Sequence, residues 1–437
     1  MKKSVLRSSG IAGAIVLGLA LSACAGGTAS TGNAGAGTAD KPAKITFWGW
    51  APGYADAVAS FNKANPGIKV TYEEVSPGSK GGYDKMLNAV TAGSAPCLAQ
   101  VGYETLSSFA AQGALEDVSK YANASKDEFA PAAWNAMSVG DAVYGAPVDT
   151  GPMALYYNKE LFDSLGLAVP TTWAEYEAAG VAIHAADPTH FLSTGYTDYD
   201  FAGFASQAGA SWFGVKDDSW KVSIDSPANQ KLAAYWQGLS DKGVISQAPM
   251  WDQSWYTGLG DGSIATHVGA VWLAGIFKND IAAGAGKWAV APMPQWKAGD
   301  KVVGNVGGSG TAVLKGCDNP EAAWTFAHFM STDPDTFTGL IKSAALYPAA
   351  TKLLSLPALS KPDDYFGGQP IFDVFAQAAP NVASGWTWGP NMPEVVGFLN
   401  DGLGKAWAGH GTIADALAST QQKTVDALKA QGLSVTK

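Results

Sequence analysis

Lys44-Ile45-Thr46-Phe47-Trp48-Gly49-Trp50 reads as a short strand, and Ile68-Lys69-Val70-Thr71-Tyr72 answers it as a second strand of alternating apolar and polar residues. Between them Tyr54, Val58 and Phe61 recur at helical spacing, and Asn65-Pro66-Gly67 ends that helix, since proline has no N–H to continue it. The stretch is a β-α-β unit. A second helical pattern from about Gly82 to Ala92 leads to another short apolar strand at Leu98 to Val101. Strands alternating with helices predict an α/β body with a largely parallel sheet.

Further along, Pro170-Thr171-Thr172-Trp173-Ala174-Glu175 carries a threonine cap with a glutamate three residues on, close to a capping box. Asn319-Pro320-Glu321 supplies an N-cap, a proline at the first helical position and an early acid. Thr412-Ile413-Ala414-Asp415 opens an amphipathic helix running to about Ala430, and no internal repeat of fixed period is present.

The chain has 437 residues, room for two large domains or three ordinary ones. Hydrophobic residues make up 47% and charged residues 15%, a compact globular composition. There are 16 tryptophans, and Arg7 is the only arginine. Arginine is the side chain best suited to grip phosphate and carboxylate in bidentate fashion, so its scarcity, with a net charge of −10, excludes nucleic acid and other polyanions as partners. The histidines are scattered with no His-Glu-x-x-His, so no metal is expected. Gly304-Asn305-Val306-Gly307-Gly308-Ser309-Gly310 lacks the Lys-Ser/Thr ending of a phosphate loop and no Gly-x-Ser-x-Gly elbow occurs, so no cofactor is expected either.

Lys2, Lys3 and Arg7 precede the apolar stretch Ile11 to Leu21, which has signal-peptide length and is too short to span a bilayer. Leu21-Ser22-Ala23-Cys24 resembles the bacterial lipobox, which makes Cys24 the lipidated first residue after removal of residues 1–23. Residues 24–42, almost all Gly, Ala, Ser and Thr at their start, read as a flexible tether. The expected location is extracytoplasmic, lipid-anchored to the outer face of the cytoplasmic membrane. In that oxidising setting Cys97 and Cys317 are either bridged or two buried thiols, and the scarcity of free thiols in exported proteins favours the bridge.

Phe61-Asn62-Lys63-Ala64-Asn65-Pro66-Gly67-Ile68-Lys69-Val70 resembles the most characteristic stretch of the extracellular solute-binding proteins of ABC transporters, in their maltose-type carbohydrate class. Tyr144-Gly145-Ala146-Pro147 with Leu155-Tyr156-Tyr157-Asn158-Lys159-Glu160-Leu161-Phe162 is similar to that family's crossing into its second lobe, and Pro170-Thr171-Thr172-Trp173 to a helix start there. Ala291-Pro292-Met293-Pro294, Gly307-Gly308 and Asn319-Pro320-Glu321-Ala322-Ala323-Trp324 resemble the return. The correspondence runs in order from about Ile45 to Val425. It implies a periplasmic-binding-protein-like α/β fold of two lobes joined by a hinge, with the ligand cleft between them. Lobe one would be 43–149 plus 291–331 and lobe two 150–290 plus 332–437. The chain departs from the family at Cys97, where many relatives have Asp, which supports a disulfide role there.

Sugars present apolar C–H faces and rims of hydroxyls, and a site for them needs aromatic platforms beside neutral or acidic hydrogen-bonding groups. Trp48 and Trp50 end the first strand, and Tyr103-Glu104 follows the strand ending near Val101. Asp149 sits at the first crossing, Trp386 and Trp388 lie in a glycine-flanked loop, and Gly308 and Gln369 stand in glycine-rich segments. The resemblance implies that Glu104 bonds sugar hydroxyls and that Trp272 stacks on the ligand. Each has a plainer reading as core, cap or hinge. Trp173, Trp236, Trp324 and Trp407 sit on helical patterns and read as packing, while Trp212, Trp251 and Trp255 stay open between the two. The expected protein is a non-enzymatic, monomeric receptor that passes a neutral oligosaccharide, possibly β-linked, to an ABC permease. The competing readings are an exported glycoside hydrolase, a surface adhesin, and the same fold holding a non-sugar solute such as a polyamine or peptide.

Overall fold

The computed structural model describes residues 37–217 and 219–436. Cys24, the signal and most of the tether lie outside the described residues. Among the described residues no helix is long and apolar enough to cross a membrane.

The opening unit folds as read: β1 (Ala43–Gly49), α1 (Tyr54–Ala64) and β2 (Ile68–Glu74), with β1 and β2 parallel. Asn65 caps α1 by donating its backbone N–H to the Phe61 carbonyl. Asn62 fastens α1 to β2. Its side chain accepts the Val70 N–H at 2.8 Å and donates to the Val70 carbonyl at 2.9 Å, occupying backbone groups of β2 at the edge of the sheet. Such edges otherwise invite pairing with another chain. Phe47, Tyr54, Phe61 and Phe326 are fully buried against one another, with ring centroids 5.1–5.4 Å apart where they pair. Each contributes about 1.5–3 kcal/mol of burial.

α2 (Gly82–Thr91) leads to β3 (Leu98–Gly102), which passes directly into α3 (Tyr103–Ala111). β4 (Gly145–Pro147) and β5 (Asp149–Thr150) carry the chain out to β6 (Met153–Asn158). In the second lobe α4 (Trp173–Ala186) starts with the predicted capping box between Thr172 and Glu175. α5 (Asp198–Gln207), α6 (Pro227–Asp241) and α7 (Gln253–Asp261) precede β7 (Thr266–Ala270), α8 (Leu273–Asp280) and β8 (Trp288–Pro292). β9 (Ser309–Val313) and α9 (Pro320–Thr332), capped by Asn319 as expected, belong again to the first lobe. α10 (Pro334–Ala344) packs on α1 and α9 and also touches α8. β10 (Tyr347–Pro348) then pairs with β5, and α11 (Met392–Trp407) and α12 (Ile413–Ala430) close the second lobe against each other.

The first sheet runs β2-β1-β3-β9-β4, with β1 parallel to β2 and β3 and β9 antiparallel to its neighbours. The second, β7-β6-β8, is antiparallel throughout. The largely parallel arrangement expected from helix–strand alternation therefore holds only for the opening strands, because strands that return from the other lobe enter from the opposite end. The expected return at residue 291 also comes later. β8 pairs with β6 along its length through Pro292, and the chain rejoins the first sheet at Ser309. Trp173, Trp236 and Trp324 are buried packing residues, and so are Trp212 and Trp255.

The Cys97 and Cys317 sulfurs lie at bonding distance, with Cα atoms 4.5 Å apart and a sequence separation of 220. They tie the start of β3 to the turn ahead of α9. A bridge closing so long a loop removes much unfolded-state freedom. Reduction is expected to lower stability by about 2–4 kcal/mol, seen as a fall in Tm by calorimetry with and without reductant; an unchanged Tm would mean the thiols are free.

Candidate functional site

The carboxyl ends of β1 and β3 and the start of β9 meet at one edge of the first sheet. Gln100 organises them. Its Oε1 accepts the Trp50 and Ala51 N–H groups at 3.0 and 3.2 Å, and its Nε2 donates to Ser309 Oγ at 3.3 Å. Ser309 in turn donates its N–H and its hydroxyl to Asp149 Oδ1, both at 2.9 Å. Tyr103 donates its hydroxyl to the Asp149 carbonyl at 2.8 Å and its N–H to the Gly308 carbonyl at 3.1 Å. Gly308 has φ +87°, and a Cβ there would stand 2.7 Å from the Tyr103 ring, so this position demands glycine on both counts. Asp149, Tyr103 and Gly308 thus form the tie between the outgoing and returning chains, with Asp149 and Tyr103 engaged to protein partners.

Glu104 sits in the first turn of α3, buried, where a carboxylate also suits the helix N-terminus. Its Oε1 accepts the Tyr83 hydroxyl at 2.8 Å and the Thr105 hydroxyl at 3.2 Å. A Cβ on Gly102 would fall 2.2 Å from this carboxyl, so glycine there makes room for it. Burial pushes the Glu104 carboxyl up, and the negative charge of Asp198 on the second lobe adds to that. Trp50, half-buried, meets the Tyr83 ring edge-on at 5.9 Å.

Facing this edge from the second lobe is the start of α5. Burial pushes Asp198 up to about 6. Burial also raises Tyr199, with the Glu104 and Asp198 charges adding to it. Tyr199 lies 6.3 Å from Trp388, Trp388 5.1 Å from Trp386, and Trp386 5.3 Å from the buried Trp212. Beside the crossing, Trp272 donates its indole N–H to the Val306 carbonyl at 3.0 Å. Its ring stacks on Trp251, 6.2 Å away at 21°, and Trp251 holds a left-handed backbone with φ +71°. That conformation is rare for a bulky residue and marks a conformation imposed by its surroundings.

Two expected ligand residues do other work. Trp48 is buried, donates its indole N–H to Glu73 Oε2 at 2.9 Å and has the Lys85 ammonium 4.1 Å from its ring centroid, so it packs against β2 and α2. Gln369 donates to the Val290 carbonyl at 2.7 Å and accepts the Val290 N–H at 2.8 Å, sealing the edge strand β8 much as Asn62 seals β2. The expected set omits Tyr83, Asp198 and Tyr199; the acid-rich start Thr197-Asp198-Tyr199-Asp200 is the sequence signal for the last two.

Residues 48–336 match the bacterial extracellular solute-binding protein family. The chain belongs to that family. It is 25% identical over 363 residues to an arabinooligosaccharide-binding protein of Halalkalibacterium halodurans, covering 78% of this chain and 79% of that one. A binding protein from Bifidobacterium animalis subsp. lactis, solved with β-1,6-galactobiose, superposes with a TM-score of 0.82 at 29% identity, over 90% of this chain and 99% of that one. The galacto-N-biose-/lacto-N-biose I-binding protein of Bifidobacterium longum, solved with lacto-N-biose, gives 0.81 at 33% identity, over 90% and 98%. The fold of this solute-binding protein is accordingly periplasmic-binding-protein-like, two α/β lobes meeting where the residues above converge.

Burial lifts Asp149 to about 6, against the opposing pull of its Ser309 hydrogen bonds. An acid whose folded value exceeds its unfolded one, near 3.9, holds its proton more tightly when folded. Its ionisation therefore erodes stability as pH rises from about 4 through 6, by about 3 kcal/mol in all. The buried His267, lowered to about 3 by burial, opposes this below about 6.5, so the test is a difference between variants. Asp149→Asn, which keeps an acceptor oxygen for Ser309, should gain Tm relative to the wild type as pH goes from 4 to 7; an offset constant with pH would show that Asp149 does not titrate in this window.

Proposed function

We propose that this chain is the receptor of an ABC importer, lipid-anchored through Cys24 outside the cytoplasmic membrane, that captures a neutral β-linked oligosaccharide between its lobes and hands it to the permease without chemical change. Galacto-oligosaccharides are the favoured class. The observation that carries the reading is the pairing of half-buried aromatic faces with buried acceptors on both sides of the junction. Trp50 with Glu104 stands on one side and Trp251, Trp272, Trp388 and Trp386 with Asp198 on the other. Aromatic faces accept the C–H side of a pyranose, and carboxylates accept its hydroxyls. The absence of arginine beyond Arg7 suits an uncharged ligand, and the β-1,6-galactobiose held by the Bifidobacterium animalis protein favours a β-linked one.

In this reading lobe one is 43–149 plus about 309–331, lobe two is 150–290 plus 350–437, and the segments between cross the hinge. Closure on ligand is a shift of population between open and closed forms. The receptor works as a monomer, with Cys97 and Cys317 bridged. Titration with a panel of neutral sugars, followed by tryptophan fluorescence, should give saturable binding to β-galacto-oligosaccharides and no hydrolysis on chromatography; silence to every neutral sugar would overturn the ligand class. Trp272→Ala should weaken binding at least tenfold by calorimetry with an unchanged circular dichroism spectrum, and an unchanged affinity would remove Trp272 from the site.

A further inference from the structure

The surface of the second lobe carries an open sheet edge. Phe213–Lys216 and Ser219–Val222 form an antiparallel hairpin, and Val435–Thr436 pairs with the second of these strands, which leaves the first at the edge. Trp220 donates its N–H to the Ser434 carbonyl at 2.9 Å, away from its hairpin partner. Residues directly opposite in an antiparallel pair either exchange both hydrogen bonds or turn both away, so Val215, opposite Trp220, turns its own N–H and carbonyl off the edge. Those groups have no partner among the described residues, and Val215 is 65% exposed. An edge of this kind is a template for a further strand.

Two grooves, of about 720 and 400 Å³, adjoin this hairpin and share residues 209–211 and Ala228 in their walls. Gly214 and Lys221 are opposite each other in the hairpin and both line the smaller groove, while Lys231 lines the larger. Both lysines are exposed, and among the described residues neither is in an ion pair. Asp300 is the one acid lining either groove; the nearby Asp217 and Asp225 line neither. Bases therefore outnumber acids on these walls, whereas the whole chain has 38 acids against 28 bases. The 15-residue α6 begins here too. Ser226 makes no side-chain cap, Pro227 has no N–H, and Ala228 of the first turn lines both grooves. An uncapped helix N-terminus beside two free ammonium groups favours a carboxylate.

We propose that this edge docks a short, extended, acidic segment of a partner protein, which adds as a strand beside Phe213–Lys216 and turns alternate carboxylates toward Lys221, Lys231 and the start of α6. Side chains alternate along a strand, so every second residue of the added segment falls on the Gly214–Lys221 face, where glycine leaves the groove unobstructed. The net charge of −10 excludes a long polyanion, but a segment of a few residues meets this local surface, since charges farther off than about 8 Å are largely screened at physiological salt. Two other occupants fit less well. A second copy joining edge to edge would set the same lysines against each other across the twofold axis. Residues 24–37 of the chain's own tether contain no acid.

The test uses a fluorescein-labelled peptide, Thr-Glu-Thr-Glu-Thr-Glu-Thr, its counterpart with Lys for Glu, and a version of the acidic peptide N-methylated at alternate residues so that it cannot complete a ladder. By fluorescence anisotropy the wild type should bind the acidic peptide at least tenfold more tightly than the basic one and at least fivefold more tightly than the N-methylated one. The double variant Lys221→Glu, Lys231→Glu, two exposed substitutions, should lose at least tenfold in affinity for the acidic peptide with an unchanged circular dichroism spectrum. Hydrogen exchange should slow at residues 213–216 when the acidic peptide is added. No binding of the acidic peptide, equal binding of all three peptides, or protection confined to other segments would overturn the proposal. Light scattering that shows a dimer dispersed by the double variant would overturn it as well, by placing a second copy of the chain at the edge.

Discussion

One acceptor atom, Asp149 Oδ1, receives both the N–H and the hydroxyl of Ser309, and through it the strand that leaves the first sheet holds the strand that comes back. The first-lobe side of the junction is positioned from that tie. Ser309 also anchors Gln100, which fixes the turn carrying Trp50, and the Gly308 carbonyl fixes the start of α3 and with it Glu104. A hydrogen bond to a charged group is worth more than a neutral one, and leaving such a buried carboxylate unpaired is costly. The fold accepts the burial of Asp149 because the same group joins segments 160 residues apart.

The acids near the junction follow one electrostatic rule. Asp149, Glu104, Asp198 and Asp200 are all buried, and burial pushes each of them up. With no arginine beyond Arg7, the chain cannot answer them with guanidinium forks: hydroxyls meet Glu104, the Ser309 hydroxyl and backbone N–H meet Asp149, and Asp200 Oδ1 has no partner among the described residues. Donors of that kind are what a sugar also offers. A cleft whose acceptors are held by neutral donors admits a neutral ligand with small electrostatic cost, whereas an anion would face several carboxylates without a cation between them.

Local physics made much of this fold readable in advance. Helix starts at Thr172, Asn319 and Thr412 depend on residues within one turn, and all three caps form as their spacing requires. What was not readable depends on partners far along the chain. Trp48 at a strand end looks like a platform until Glu73 and Lys85 are brought against it. Gln369 looks like a free amide until β8 turns out to be an edge strand needing exactly its two groups. Tyr199 carries no local mark either; only the folded chain sets it 6.3 Å from Trp388.

The tryptophans divide on the same principle. Trp173, Trp236 and Phe204 pack with centroids 4.9–5.8 Å apart in the interior of lobe two, where their apolar area stabilises the fold without regard to any ligand. Trp251 and Trp272 are arranged differently. Their rings stay half-buried and nearly parallel, one on a left-handed backbone and the other held by the Val306 carbonyl at the crossing. A purely structural contact would not need a conformation that costs on the order of 1–3 kcal/mol. In the proposed reading, an aromatic floor kept open beside the hinge gives that strain a purpose, since its exposed area is lost from water only when a ligand covers it and the lobes close.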